Sequence, residues 1–471
     1  MQTLFTYSRP RPRLIPALIV AVVVAAALLL SLAAGALAGN GHLLRTLLLI
    51  GPPALVGMAV LISRKFETAV LALPILALAV PIELPTGTFS KIPISLALAL
   101  ALCAVWLVAM ALRRRFQLAP SPLNRPLVLF CVACCVSLVW GNVWWDPPVA
   151  GDTYLGFTLV QVASLVTLLA SMGAALLIGN FVQTEGRLKF IAGAFLACGT
   201  LMTATQLLKI PQPILNDRGL WGLWTVVPAA CLLIAQPQLR WRWRALLLLL
   251  IVAHLYQAMV VNLLWKSGWI PVIVGLFVAV LLRSWRWFLV LLAVGALFAY
   301  TQRDIINDMV NSEVEEGADE RIGMWEINLR VVGDHWLFGS GPAGYALYYM
   351  HYYPEDARST HNNYLDIIAQ FGVVGSAIWI WLAAASTIEG VRLYRRAPPG
   401  FLRTLALAVT SGWVGAQVSM LLGDWMLPFA YNQTITGYKY TVYSWIFLGM
   451  LISIRTLLPH QPGTIVVEEP A

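Results

Sequence analysis

The chain has few charged residues. Of its 471 residues only 11% are Asp, Glu, Lys or Arg, whereas 59% are hydrophobic. Soluble globular domains carry about 25% charged residues. The composition therefore excludes a soluble domain and predicts a polytopic membrane protein.

Cysteine is scarce as well. The six cysteines all lie inside apolar runs: Cys103, Cys131, Cys134, Cys135, Cys198 and Cys231. The spacing Cys131-x-x-Cys134-Cys135 resembles a metal motif, but in a hydrophobic helix these are more commonly small packing residues. The sequence thus indicates neither a disulfide framework nor a zinc site.

The middle of most apolar runs lacks Asp, Glu, Lys and Arg, and His254 and Gln257 are the main polar exceptions. Ion-coupled carriers place ionisable groups near the bilayer midplane. Transporters are also often built from paired halves, and this sequence has no clear internal repeat. Both observations argue against a lipid or polysaccharide transporter, and His254 is interpreted as a hydrogen-bonded interior residue.

What the chain does contain is a series of apolar runs long enough to span a bilayer. They predict an all-α fold with about fourteen spans, or twelve as the alternative count. The runs fall near 14–38, 44–62, 66–84, 93–112, 126–144, 158–181, 188–207, 219–236, 244–263, 269–283, 286–301, 364–386, 403–422 and 438–455. The first run ends like a signal peptide, but its length favours an uncleaved helix.

Basic residues cluster in short segments between these runs. With the N-terminus inside, every inner segment is basic, and together these segments hold 21 of the 31 Lys and Arg residues, as the positive-inside rule requires. The net charge of +9 is therefore interpreted as a topology signal and not as a nucleic-acid surface. Both termini are predicted to be cytoplasmic.

One long segment separates two sets of spans. We divide the chain into N-terminal spans (1–301), a large outer loop (302–363) and C-terminal spans with a short tail (364–471). The loop region holds half of the chain's 22 acidic residues. Its aromatic residues predict that it folds on the membrane surface, and the spacing of Ile322, Trp325, Ile327, Leu329 and Val332 predicts an amphipathic helix.

The end of this loop runs from Arg358 to Gly375 and contains His361-Asn-Asn-Tyr364. Asn363 is predicted to cap a short helix that Gly372 ends. His361 would then lie at the start of a helix, where polar chain meets the membrane. These residues alone leave two alternatives open, a turn into a transmembrane helix and a catalytic base.

Three cations occupy outer turns or follow the acidic stretch: Arg218, Lys266 and Arg321. Each alone could equally be an interface anchor. Together with a histidine they suit an anionic phosphate substrate, because guanidinium binds phosphate oxygens in pairs and neutral imidazole accepts a proton. A pyrophosphate leaving group matched by fixed cations needs no metal.

A glycine-rich turn, Phe338-Gly339-Ser-Gly341-Pro-Ala-Gly344, follows Arg321. A tight turn is favoured over a phosphate cradle for these glycines.

These motifs resemble the O-antigen ligase and polymerase superfamily. The similarity rests on Arg321, Trp325, the Phe338-Gly339-x-Gly341 turn and His361-Asn362-x-Tyr364 running to Gly372 and Gly375. The resemblance implies a GT-C-like glycosyltransferase of the bacterial inner membrane with its site facing the periplasm. It assigns His361 as general base, and Arg321, Arg218 and Lys266 as pyrophosphate ligands, with Asn362, Tyr364, Gly339 and Gly341 as a supporting motif.

The resemblance also implies the substrates. The donor would be a polysaccharide on undecaprenyl pyrophosphate, the acceptor of a ligase would be a sugar hydroxyl of lipid A–core, and transfer would invert the anomeric carbon without a cofactor or metal. A polymerase shares these motifs and differs in its acceptor, another lipid-linked repeat. The length and the single late loop favour a ligase, and few residues follow the last span for the extra region associated with protein O-glycosyltransferases.

Overall fold

The computed structural model describes residues 65–86, 90–150, 155–304, 307, 319–354, 359–428 and 435–458. The predicted spans at 14–38 and 44–62, including the signal-like segment, lie outside the described residues, as does the C-terminal tail beyond 458.

The described chain is helical apart from one short hairpin and its connecting segments. Its elements are α1 (Phe66–Ala79), β1 (Glu83–Pro85), β2 (Lys91–Pro93), α2 (Ile94–Leu112), α3 (Asn124–Val143), α4 (Pro147–Ala150), α5 (Leu155–Phe181), α6 (Glu185–Leu207), α7 (Trp221–Ala235), α8 (Trp241–Tyr256) with a π-helical turn at Gln257–Val261, α9 (Lys266–Arg283), α10 (Trp285–Thr301), α11 (Asp319–Asp334), α12 (Tyr345–Tyr352), α13 (Asn363–Arg396), α14 (Phe401–Ser419), a 3-10 turn at Ile435–Gly437, and α15 (Tyr438–Leu457).

Each predicted span from 66 onward coincides with one of these helices. By length and composition, 8 of the described helices can cross a membrane, whereas α1, α7 and α10 are apolar but shorter. The prediction of a helical polytopic membrane protein is thus confirmed in its coarse form. The total number of spans stays a prediction.

The centre of the bundle is α15. Almost every side chain from Tyr440 to Ile454 is buried, as expected for a helix that is apolar all round. Gly449 faces the Ala175 carbonyl of α5, where a Cβ atom would approach the oxygen to 2.4 Å, so the two helices can pack closely. On another side, Phe447 stacks on Trp224 of α7 with ring centroids 4.1 Å apart.

The hairpin β1–β2 was not predicted, because its strands are only three residues long and lie between apolar runs. It pairs antiparallel, with Glu83 opposite Pro93. Glu83 binds Lys439 in the first turn of α15 at 2.7 Å and lies 4.0 Å from Lys91. The hairpin therefore fixes the beginning of α15 through an ion pair.

Residues 319–354, which belong to the predicted outer loop, form helices with a packed core. The helix α11 and the short α12 share a second apolar core with residues that precede and begin α5, and this core contains Val149, Phe157, Val331, Val332, Tyr345, Ala346, Leu347, Tyr348, Tyr349 and Ala369. The predicted buried face of α11 was partly wrong. Ile322 and Leu329 are exposed, whereas Met324 and Asn328 are buried, because α12 covers a face rotated from the one that hydrophobicity marks.

The helix α13 is broken where the sequence predicted an end. Gly372 has φ +65° and ψ −166°, which divides α13 into a short first part and a long second part. The predicted cap was wrong by one residue. Asn362 is the N-cap, and its side-chain oxygen accepts the backbone N–H groups of Tyr364 and Leu365 at 3.0 and 3.4 Å. Asn363 is the first helical residue and has another role, described below.

Candidate active site

The helices α7, α9, α13 and α15 begin at the same end of the bundle, which we call the site end. Three aromatic side chains, Trp265, Trp425 and Tyr440, form an aromatic bridge between the beginnings of α9 and α15. The Trp425 ring lies 6.0 Å from Trp265, just before α9, and 6.2 Å from Tyr440 in α15. Helix N-termini carry partial positive charge, so this end of the bundle favours an anion.

The histidine turn, residues 359–363, leads into α13. Ser359 and Thr360 are fully buried, and Asn362 and Asn363 are buried as well. The His361 side chain, in contrast, is 48% exposed. Its backbone has φ +50°, a left-handed conformation that a non-glycine residue adopts only when its surroundings impose it. The turn thus holds one imidazole outward from an otherwise buried segment.

A buried polar network holds this turn. Asp366 accepts hydrogen bonds from the hydroxyls of Thr360 at 2.8 Å and Tyr345 at 2.6 Å. The Asn363 amide nitrogen donates to Asp366 at 3.1 Å and to the Leu427 carbonyl at 3.0 Å. Because buried polar groups are costly unless paired, a network with these partners fixes the turn rigidly.

The sequence reasoning missed Asp424, which the fold places beneath the histidine. It is 2% exposed, accepts the Ser359 hydroxyl at 2.6 Å, and has a carboxylate oxygen 3.9 Å from His361 Nδ1. Burial, followed by the negative charge of Asp366, raises the pKa of Asp424 well above its ordinary value, although the Ser359 hydrogen bond opposes the rise. The only sequence signal was an acid between glycine and tryptophan after a predicted span.

Arg218 and Lys266 lie beside the aromatic bridge. Arg218 is exposed, in a turn where its N–H donates to the Asn216 side chain at 3.3 Å. The adjacent Gly219, at φ +83°, lies so close to Tyr440 that a Cβ atom would approach Tyr440 Cβ to 2.6 Å. Lys266 is the first residue of α9 and directly follows Trp265. The fold thus brings both cation-bearing turns to the site end.

Arg321 lies in the first turns of α11, and its side chain lies outside the described part of the structure. One turn later, the Trp325 indole N–H donates to the Thr360 carbonyl at 2.9 Å. This hydrogen bond attaches the beginning of α11 to the histidine turn. The backbone of Arg321 is therefore about 6 Å along α11 from a residue that contacts the turn.

The glycine turn, residues 338–344, packs against the break in α13. Gly339 and Gly341 have φ +72° and +89°. A Cβ atom on Gly339 would lie 2.3 Å from the Gln370 carbonyl carbon. The Ser340 and Gly341 N–H groups donate to the carbonyls of Ala369 and Gln370 at 2.9 and 3.1 Å. These amides are already hydrogen-bonded, so the tight-turn interpretation fits and a phosphate cradle does not.

Tyr364 has a structural partner. Its hydroxyl donates to the Gln417 carbonyl of α14 at 3.0 Å, which ties the start of α13 to the end of α14. Among the described residues, no group of three or more His, Cys, Asp or Glu side chains is arranged to hold a metal ion. Metal independence stays a prediction. The interior interpretation of His254 agrees with its geometry, since its Nδ1 lies 3.4 Å from Thr203 Oγ1.

Residues 255–380 match the family model described as O-Antigen ligase. This segment begins near the end of α8 and ends within the second part of α13, so it includes Lys266, Arg321, the glycine turn and the histidine turn.

Residues 255–380 are therefore similar to the O-antigen ligase domain.

No curated protein matches the chain. Four of the motifs named from the sequence lie within the matched segment, whereas Arg218 and Asp424 lie outside it. The fold nevertheless brings the Arg218 turn and Asp424 to the histidine turn through the aromatic bridge. Their placement is thus an observation independent of the family match, and it extends the candidate site beyond the domain.

Proposed function

We propose that the protein is an O-antigen ligase that transfers a polysaccharide from undecaprenyl pyrophosphate to a sugar hydroxyl of lipid A–core. The observation that carries the proposal is the histidine turn. It presents one exposed imidazole from a rigid, buried polar network at the end where four helices begin. The family match supports the class of reaction.

The proposed reaction is an in-line displacement. The acceptor oxygen forms a bond to the anomeric carbon of the donor, and the bond from that carbon to the pyrophosphate oxygen breaks. The bonding electrons leave with undecaprenyl pyrophosphate, and the hydroxyl proton passes to His361. Attack opposite to the leaving group inverts the anomeric centre. General-base assistance of this kind contributes about 10²–10⁴ in rate.

The leaving pyrophosphate would meet fixed positive charge. Arg218 and Lys266 lie at the beginnings of α7 and α9, where the helix dipoles add to their charge. Arg321 would approach from α11, which the Trp325 hydrogen bond holds to the histidine turn. Cations matched to a developing anion lower the barrier most where they are fixed in advance.

Asp424 is proposed as a positioning residue. Its carboxyl lies beneath His361 and is itself held by Ser359. In this position it would orient the imidazole and stabilise the imidazolium that proton transfer creates, as a buried carboxyl does for other catalytic histidines. The site would face the periplasm, in the inner membrane, with the isoprenoid lying against apolar helices.

The test uses purified protein in detergent with undecaprenyl-pyrophosphate-linked polysaccharide and EDTA, with and without lipid A–core. A ligase places polymer on lipid A–core only where that acceptor is present. Lengthening of the lipid-linked polymer in both reactions would mean a polymerase and would overturn the proposed acceptor. Transfer that requires an added divalent ion would overturn the metal-free mechanism.

A further inference from the structure

A second polar cluster lies away from the histidine turn, where the end of α11 meets the segment after α3. His335 Nε2 lies 3.5 Å from an Asp146 carboxylate oxygen, and the Tyr352 hydroxyl donates to the other oxygen at 3.4 Å. Trp145 stacks on Tyr348 with ring planes 22° apart. None of these residues has a part in the proposed displacement.

Exposed aromatic rings surround this cluster. Trp144 is 58% exposed and Trp336 is 57% exposed. Trp144 packs on Trp140, which in turn contacts Phe338, with centroid distances of 5.6 and 5.3 Å. We call the combined surface the aromatic–acidic platform: Trp144, Asp146, His335, Trp336 and Tyr352. It joins flat apolar faces to hydrogen-bonding groups over a continuous surface.

The charge of the platform is opposite to that of the site end. Asp334 lies beside His335, and burial lowers the pKa of His335 although Asp146 and Asp334 oppose the shift. In the described part of the chain, the ion-pair partner of Asp146 is His335, and burial favours the neutral imidazole. The nearby cation Arg330 donates to the Tyr353 hydroxyl at 3.2 Å. Such a surface accepts hydrogen bonds from hydroxyl groups and disfavours phosphate or carboxylate groups.

Two helices connect the platform to the histidine turn. Trp325 bonds to Thr360, and His335, directly after the end of α11, follows ten residues later, which is about 15 Å along the helix axis. The helix α12 makes the same connection, since Tyr345 donates to Asp366 and Tyr352 donates to Asp146. A chain of sugars that starts at His361 could therefore reach the platform.

We infer that the aromatic–acidic platform binds uncharged sugars of the donor polysaccharide several units away from the reacting carbon. The C–H face of a pyranose ring packs on an indole face, and its hydroxyls donate to a carboxylate, which are the two kinds of group present. Aromatic faces with a few polar groups are typical of ligand sites. The inference rests on the proposed function, because it takes the polysaccharide as the substrate.

The test compares donor lengths. Lipid-linked donor extracted from the source cells is separated into one-repeat and long-chain fractions and is assayed with wild-type protein and with the W144A, W336A and D146N variants. Each variant should lower kcat/KM for the long-chain donor about three- to tenfold and leave the one-repeat donor and the acceptor KM unchanged. W241A is the matched control, because Trp241 is 74% exposed at the beginning of α8, the opposite end of the bundle.

An equal loss of kcat/KM with both donors, or no loss with either, would overturn the inference. A rise confined to the acceptor KM would also overturn it, because it would assign the platform to the acceptor. A binding measurement separates this failure from failure of the proposed function. Polysaccharide released from the lipid is titrated into each protein by calorimetry. Weaker binding by W144A and D146N, but not by W241A, supports the platform even if no transfer occurs, whereas equal binding by all overturns it.

Discussion

The histidine turn and the glycine turn both adopt the left-handed backbone, but they differ in what that conformation provides. In the glycine turn, Gly339 allows the chain to approach α13 so closely that no side chain fits. Its amides are hydrogen-bonded to Ala369 and Gln370 carbonyls. In the histidine turn, the residue at φ +50° keeps its side chain 48% exposed.

This difference separates a turn that supports the fold from a turn that presents a functional group. A left-handed turn of glycines with hydrogen-bonded amides and no exposed functional group stabilises a helix junction. A strained turn that exposes one titratable side chain above buried carboxyls prepares that side chain for reaction. Substitutions in the glycine turn should therefore lower the stability of the fold, whereas substitutions in the histidine turn should lower the rate of transfer.

The largest effect is expected for H361A. Because the imidazole is exposed, its removal should leave the melting temperature close to that of the wild type, whereas kcat for transfer should fall about 10²–10⁴-fold. The measurement is single-turnover transfer to lipid A–core, with thermal unfolding in the same detergent. H351A, which removes a histidine of α12, is the control. Normal transfer by H361A would remove the general base from the proposal.

G339A should lower the stability of the folded protein. The added Cβ meets the Gln370 backbone at 2.3 Å in a conformation that favours glycine, so the free energy of unfolding should fall by about 3 kcal/mol or more. The control is G333A in α11, where an added Cβ has no neighbour within 4 Å. The readout is melting temperature, followed by transfer per folded molecule. If G339A keeps the wild-type stability but loses transfer, the glycine turn takes part in the reaction directly.

The comparison also shows what the sequence could predict. Hydropathy predicted the helices from residue 66 onward, and the freedom of glycine to end a helix predicted the break at Gly372, because both depend on local sequence. Asp424 was missed because its importance depends on a contact with His361 across 63 positions of the sequence, which no local pattern encodes. The predicted face of α11 was wrong for Ile322 because burial there depends on where α12 packs.

The cations should give intermediate effects. R218A and K266A would each remove a proposed charged partner of the pyrophosphate, and a charge-assisted hydrogen bond contributes about 1.5–3 kcal/mol. Each variant should lower kcat/KM for the lipid-linked donor roughly 10–100-fold without changing the melting temperature. R242A, at the opposite end of the bundle, is the control. If R242A costs as much as R218A, general membrane charge and not a pyrophosphate site explains the loss.

The smallest effect is expected in the pH dependence of stability. It depends on the buried carboxyls beneath the histidine turn. The pKa of Asp424 is raised in the folded state, so the folded protein binds its proton more tightly than the unfolded chain, whose pKa is about 3.9. The free energy of unfolding should therefore fall as pH rises from the unfolded pKa to the folded pKa and stay level above it. The loss is about 1.4 kcal/mol for each unit between the two pKa values. D424N has no such titration, so the wild type should lose melting temperature relative to D424N across that interval. Parallel curves for the two proteins would show that the pKa of Asp424 is not raised in the folded protein, and the buried setting described for this carboxyl would then be wrong.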